Sequence, residues 1–93
     1  MDVQQVSGRN LGDIFLYALS TCVWCKKTKA FLEQLDVAYR YVDVDLVPAE
    51  DEEEVMRGLA RWNPQRNFPT IVINSLTAIV GYQPERIREV LGL

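Results

Sequence analysis

The sequence predicts an α/β protein in which a four-stranded mixed sheet is flanked by three helices, in the order β-α-β-α-β-β-α. Three features carry that prediction. The apolar run 14–19 (IFLYAL) is followed by a helical pattern and then by an alternating, β-rich stretch. That succession is a βαβ unit, with two parallel strands and a right-handed crossover. Near the C-terminus, 68–74 (FPTIVIN) and 77–80 are short β-rich runs around a tight turn, which predicts an antiparallel hairpin. A last amphipathic segment opens on Pro84, a residue suited to the first position of a helix.

Each element has a local reason. Residues 1–12 are a polar lead-in broken by Gly8 and Gly12, either a short arm or an extra edge strand. The domain proper is expected over 13–93. Residues 14–19 have the length of a strand covered on both faces. From residue 23 the pattern turns helical, with Trp24, Thr28, Phe31, Leu32 and Leu35 on one face. Lys26, Lys27, Lys29 and Glu33 fall mostly elsewhere. Residues 37–45 (VAYRYVDVD) alternate and read as a second strand. Five consecutive acids, 50–54, precede Val55, Leu59 and Trp62 at helical spacing. They read as a solvated first turn rather than a cation site, because carboxylates favour the positive end of the helix dipole. Residues 63–67 form a loop. Ile87, Val90 and Leu91 are the buried face of the last helix.

Composition narrows the function classes. The chain has 93 residues, which allows one domain. Its 48% hydrophobic and 25% charged residues are ordinary for a globular protein. A net charge of −3 argues against nucleic acid as a partner. No apolar run is long enough for a membrane span. The polar first 12 residues lack an apolar signal core, so a cytoplasmic monomer is expected. The chain has no histidine and two cysteines, Cys22 and Cys25. That excludes histidine-dependent triads and a four-ligand zinc site within one chain.

The two cysteines carry the chemistry. The segment 20–27 (STCVWCKK) lies where the first strand ends and the first helix begins. Unpaired backbone N–H groups at a helix start, together with the macrodipole, favour a thiolate over a thiol at Cys22. Lys26 and Lys27 add positive charge nearby. The thiolate is the nucleophile in disulfide exchange. Cys25, three residues on, is placed to attack a mixed disulfide at Cys22 and close an intramolecular disulfide. The other readings of this spacing are an inert buried pair or half of a metal site completed by a second chain. A strand-to-helix junction within a βαβ unit favours the redox reading.

On these residues the chain resembles the glutaredoxins, small members of the thioredoxin-like fold. Residues 16–32 (LYALSTCVWCKKTKAFL) are similar to their first strand, redox turn and helix. Residues 63–74 (NPQRNFPTIVIN) are similar to their conserved-proline segment, and 79–87 (IVGYQPERI) to their glycine turn. The resemblance implies that Cys22 attacks, Cys25 resolves and Pro69 is a cis-proline, with the Phe68 backbone pairing to bound substrate. It implies that Thr21 lines the same site. Arg66 is implied as a group for a substrate carboxylate, its other reading being a solvated loop arginine. Gly81 is implied to let substrate approach the backbone, its other reading being a simple turn glycine. No tightly bound cofactor and no resident metal are implied; glutathione is implied as a co-substrate and disulfide-containing proteins as substrates.

The departures from the family pattern bear on the electron donor. Val23 and Trp24 stand for the commoner proline and tyrosine between the cysteines. Trp24 is either a stacking surface for substrate or part of the helix packing. Leu19 stands where many glutathione-dependent members have lysine, and Tyr82, Pro84 and Glu85 replace the usual glycine, serine and aspartate. The run 81–85 (GYQPE) is similar instead to redoxins served by thioredoxin reductase, so both donors are expected candidates. The expected activity is dithiol–disulfide oxidoreduction. The alternatives are a dimer holding an iron–sulfur cluster through Cys22, and a protein-interaction module that merely keeps the fold.

Overall fold

A computed structural model describes residues 3–93. The elements are β1 (Gln4–Val6), β2 (Ile14–Ala18), α1 (Val23–Gln34), β3 (Tyr39–Asp43), α2 (Ala49–Trp62), β4 (Thr70–Ile73), β5 (Thr77–Val80) and α3 (Pro84–Leu91). The sheet runs β1-β3-β2-β4-β5. β2 and β3 are parallel, and the other neighbours are antiparallel. The β-α-β-α-β-β-α order is present, and the sheet has five strands instead of the expected four.

The additional strand is β1, at the edge beside β3. Its sequence, QQV, is too short to show an alternation; it pairs with β3 through its backbone, and Val6 packs at the margin of the core. Further contacts that hold it come after it. Gly8 lies so close to the segment leading into β3 that a Cβ would stand 2.6 Å from the Val37 carbonyl carbon. Arg9 donates its backbone N–H to Asp36 at 2.7 Å and a guanidinium N–H to the Leu35 carbonyl at 2.6 Å. The polar lead-in is thus tied to the end of α1. Its residues 1 and 2 lie outside the described residues.

The central strand β2 shows why the protein has three layers. Ile14, Leu16 and Ala18 are almost fully buried in one core with Cys25 and Leu32 of α1 and Ile87 of α3. Phe15 and Tyr17 point to the opposite face and pack with Val42, Val44 and Val55 of the α2 side. α1 and α3 therefore cover one face of the sheet and α2 the other.

Two expectations need correction. The buried stripe of α1 is Cys25, Thr28 and Leu32; Trp24 is 55% exposed and stands outside it. Lys29 falls inside, with its side chain only 18% exposed. The helix is rotated because Cys22 caps it and turns Cys25 inward. The second strand ends at Asp43, and residues Val44–Leu46 form a 3₁₀ turn. Asp45 is drawn there into hydrogen bonds with Ser20. The expected antiparallel hairpin is present; its turn centres on Asn74 and Ser75, both at positive φ, and Leu76 N–H donates to the Ile73 carbonyl at 3.1 Å. Paired positive φ values match the right-handed twist of the flanking strands.

Candidate active site

Strand register gathers the site at one edge of the sheet. Ala18 at the end of β2 pairs with Asp43 at the end of β3. Tyr17 pairs with Thr70 at the start of β4, and Thr70 pairs with Val80 at the end of β5. The redox turn, the proline segment and the Gly81 turn all adjoin that edge. Gly81 N–H donates to the Pro69 carbonyl at 2.8 Å and so joins the last two directly.

Cys22 is the N-cap of α1, with extended backbone (φ −83°, ψ 118°). Its Sγ accepts the Cys25 backbone N–H at 3.2 Å, one of the orphan donors at the helix start. Its own N–H donates to the Leu19 carbonyl at 3.2 Å, which closes the turn out of β2. Cys22 is half-buried, while Cys25 is fully buried, and both are free thiols. The pair is therefore asymmetric. One sulfur reaches solvent and the other waits beneath it.

Burial pushes the Cys25 thiol up to about 12, helped by its hydrogen bond to Cys22. A backbone hydrogen bond at Leu19 and the positive charge of Lys29 oppose that rise. Lys29 stands one helical turn beyond Cys25 on the same inward side. It pairs with Asp43 at 2.9 Å and lies 4.2 Å from the centre of the Tyr41 ring. The sequence pattern placed Lys29 among the outward lysines; its i, i+4 spacing from Cys25 was the signal that it faces inward.

The remaining site residues occupy distinct places. Thr21 is exposed at the turn, and Lys26 and Lys27 are exposed on α1. The Lys27 ammonium lies 4.8 Å from the centre of the Trp24 ring. Trp24 stacks on Tyr82 with centroids 5.9 Å apart and planes 27° apart. Phe31 meets the other side of the cluster edge-on, 6.3 Å from Tyr82. Trp24 is thus both exposed and packed, against the Gly81 turn rather than against the core.

The Phe68–Pro69 peptide bond is cis. Pro69 is buried, and Phe68 packs against the cores on both sheet faces. Gly81 has φ +85°, a conformation costly for other residues, although a Cβ there would meet nothing within 4 Å. Arg66 is exposed at φ +54°. It lines an open groove of about 680 Å³ along α2, with Glu52, Glu53, Met56 and Arg57 among its neighbours. Neither cysteine lines that groove.

A polar knot missed by the sequence reading supports the loop before Pro69. Asn63, only 5% exposed, donates to Asn67 Oδ1 at 2.5 Å and Thr70 Oγ1 at 3.0 Å, while its own Oδ1 accepts the Gln65 N–H at 3.2 Å. Thr70 Oγ1 donates to the Asn67 carbonyl at 3.0 Å. An Asn at the end of a helix was the sole hint in the sequence.

Among the described residues, no group of three or more His, Cys, Asp or Glu is placed to hold a metal ion, and no helix is long and apolar enough to cross a membrane.

Comparison with known proteins agrees with this geometry. The glutaredoxin family model matches residues 14–76. A glutaredoxin-like 8.6 kDa protein of the rubredoxin operon of Clostridium pasteurianum is 35% identical, over 84% of this chain and 96% of that protein. Glutaredoxin-C6 of Oryza sativa is 31% identical over 66% of this chain and 53% of its own length. The crystal structure of a glutaredoxin from Methanosarcina mazei superposes with a TM-score of 0.91 at 47% identity, over 98% of this chain and 88% of that one. Methanoredoxin of Methanosarcina acetivorans superposes with a TM-score of 0.89 at 46% identity, over 92% and 90%. With a thioredoxin-like sheet and its cysteine pair at the strand-to-helix turn, the chain belongs to the glutaredoxin family.

Proposed function

We propose that this chain is a dithiol–disulfide oxidoreductase that reduces protein or small-molecule disulfides, with glutathione or a thioredoxin reductase as electron donor. The observation that carries the reading is the asymmetric pair: a half-exposed Cys22 capping α1 over a fully buried Cys25.

The Cys22 thiolate attacks one sulfur of the substrate disulfide. That S–S bond breaks, and the departing thiolate takes up a proton. Cys25 then gives its proton to solvent and attacks Cys22 Sγ. The second substrate thiol leaves, and a Cys22–Cys25 disulfide remains. Two electrons from the donor restore the dithiol. The N–H of Cys25 stabilises negative charge on Cys22 whenever that sulfur is a leaving or attacking group, and Lys26 and Lys27 support it.

Substrate recognition falls to the three joined loops. The Phe68 backbone before cis-Pro69 pairs with an extended substrate segment, Gly81 allows its approach, and Trp24 with Tyr82 offers an aromatic surface beside Thr21. Arg66 receives a substrate carboxylate at the rim. The protein works as a cytoplasmic monomer, with no tightly bound cofactor. Pro84 at the start of α3 has no N–H to offer a γ-glutamyl carboxylate, and Leu19 offers no charge, which supports keeping thioredoxin reductase beside glutathione as donor.

The test is NADPH consumption on a model disulfide, in one arm with glutathione and glutathione reductase and in the other with thioredoxin reductase. Turnover in either arm supports the reading and names the donor. No turnover in both arms, with Cys22 still open to alkylation, overturns it.

A further inference from the structure

Two aspartates two residues apart reach both sides of the redox turn. Asp43 ends β3 beside Ala18, the last residue of β2 before the turn departs. Its carboxylate holds Lys29 at 2.9 Å, and both side chains are largely buried, 18% and 15% exposed. Lys29 is one helical turn beyond Cys25, so this ion pair fastens the inward face of α1 to the sheet. Asp45, in the 3₁₀ turn that follows β3, accepts the backbone N–H of Ser20 at 2.8 Å on one carboxylate oxygen. It accepts the Ser20 hydroxyl on the other. Ser20 stands two residues before Cys22. A carboxylate gripping a backbone N–H and a hydroxyl of one residue leaves the chain little freedom there.

We infer that Asp43 and Asp45 are positioning residues that hold Cys22 and Cys25 in register for disulfide closure, Asp45 through the Ser20 side of the turn and Asp43 through the Lys29 side of the helix. Neither aspartate touches a reacting sulfur. The demand they answer is geometric. Cys22 belongs to a turn and Cys25 to a helix, and the buried sulfur must meet the outer one along a narrow approach. Within the turn, the Cys22 N–H donates to the Leu19 carbonyl. Attachment of both parts to the same end of β3 makes the strand a common ruler for the two sulfurs. The inference rests on the proposed dithiol chemistry, and it concerns the closure step alone.

The experiment uses dithiobis(nitrobenzoate) on the reduced full chain. Cys22 displaces one nitrothiobenzoate and forms a mixed disulfide. Cys25 then loses a proton, attacks Cys22 Sγ and expels the second nitrothiobenzoate. The first phase is bimolecular; the second is first-order and reads closure. Loss of Asp45 in Asp45→Ala should slow the second phase by about tenfold, the scale of misplaced reacting groups, and leave the first within about twofold. Asp45→Asn, which keeps an oxygen for the Ser20 N–H, should recover most of the rate. Ser20→Ala/Asp45→Ala should be no slower than Asp45→Ala, within about twofold, because both act through one contact. Asp43→Ala, which leaves the Lys29 charge beside Cys25, should slow closure, and Asp43→Glu should restore part of the rate. If Asp45→Ala fails to fold, Ser20→Ala reads the same contact by a smaller slowing.

Second-phase rates equal to the unaltered protein in all folded variants would overturn the inference. Slowing that multiplies in the double variant would also overturn it. The two readings fail differently: normal closure without NADPH-coupled turnover removes the proposed function alone, and normal turnover with closure insensitive to these variants removes the positioning role alone.

Discussion

Gly81 donates its backbone N–H to the carbonyl oxygen of Pro69 at 2.8 Å, and this bond ties the glycine turn to the cis-proline loop at the redox edge of the sheet. Trp24 then stacks on Tyr82, the residue after Gly81, and so links that turn to the helix that Cys22 caps and that carries Cys25. The site is a ring of three segments rather than a pocket in one of them. Its consequences can be measured one segment at a time.

The aromatic link predicts a substrate effect without a chemical one. Trp24→Ala should raise KM for a peptide disulfide about threefold to tenfold, the equivalent of roughly 0.5–1.5 kcal/mol of aromatic contact. The rate of Cys22 alkylation by a small iodoacetamide should stay unchanged. Steady-state kinetics beside an alkylation time course checks both halves.

Cys25 predicts a pH dependence with a definite sign. Burial raises its thiol to about 12, so the folded reduced protein holds a proton there that the unfolded chain releases at the ordinary, lower value. The contribution to stability is complete below the ordinary thiol range and is lost as pH climbs toward 12. Denaturant unfolding of the reduced protein from pH 8 upward, compared with Cys25→Ser, should show a steeper fall in the unaltered chain. The closure step should accelerate over the same range, because it needs the deprotonated Cys25.

The polar knot at Asn63 predicts a stability cost. Asn63→Ala removes the donor to the buried Thr70 Oγ1 and unties the exposed Asn67 from the loop, at roughly 1–3 kcal/mol. For a chain of this size each kcal/mol lowers Tm by roughly 4–8 °C. Thermal unfolding followed by circular dichroism measures it, and Thr70→Val should overlap with it rather than add in full.

α3 docks through one fully buried side chain, Ile87. Ile87→Ala should cost about 2–5 kcal/mol through the cavity it leaves. A urea titration should show the lowered midpoint.

The order of strands and helices was legible because each has a strong local period. The redox turn was legible because two cysteines in 93 residues stand at a strand-to-helix junction. What was not legible depends on backbone and on long-range partners. β1 is held by its backbone pairing with β3, by the close approach of Gly8 and by the hydrogen bonds of Arg9, none of which shows as a periodic pattern. The rotation of α1 that buries Lys29 and exposes Trp24 follows from Cys22 as its cap and from Asp43, which lies 14 positions away. Ser20 and Asp45 meet across 25 positions, and no single-sequence period reports such a pair. Arg66 was singled out by resemblance, and the structure places it on a groove beside α2 whose lining includes neither cysteine.

The proposed chemistry turns on attack by Cys22 and resolution by Cys25. Its most direct measurement is mass spectrometry of Cys25→Ser and Cys22→Ser after brief exposure to a disulfide substrate. A stable mixed disulfide is expected on Cys22 in Cys25→Ser, and neither adduct nor substrate reduction in Cys22→Ser. An adduct on Cys25, or full disulfide reduction by Cys22→Ser, would contradict it.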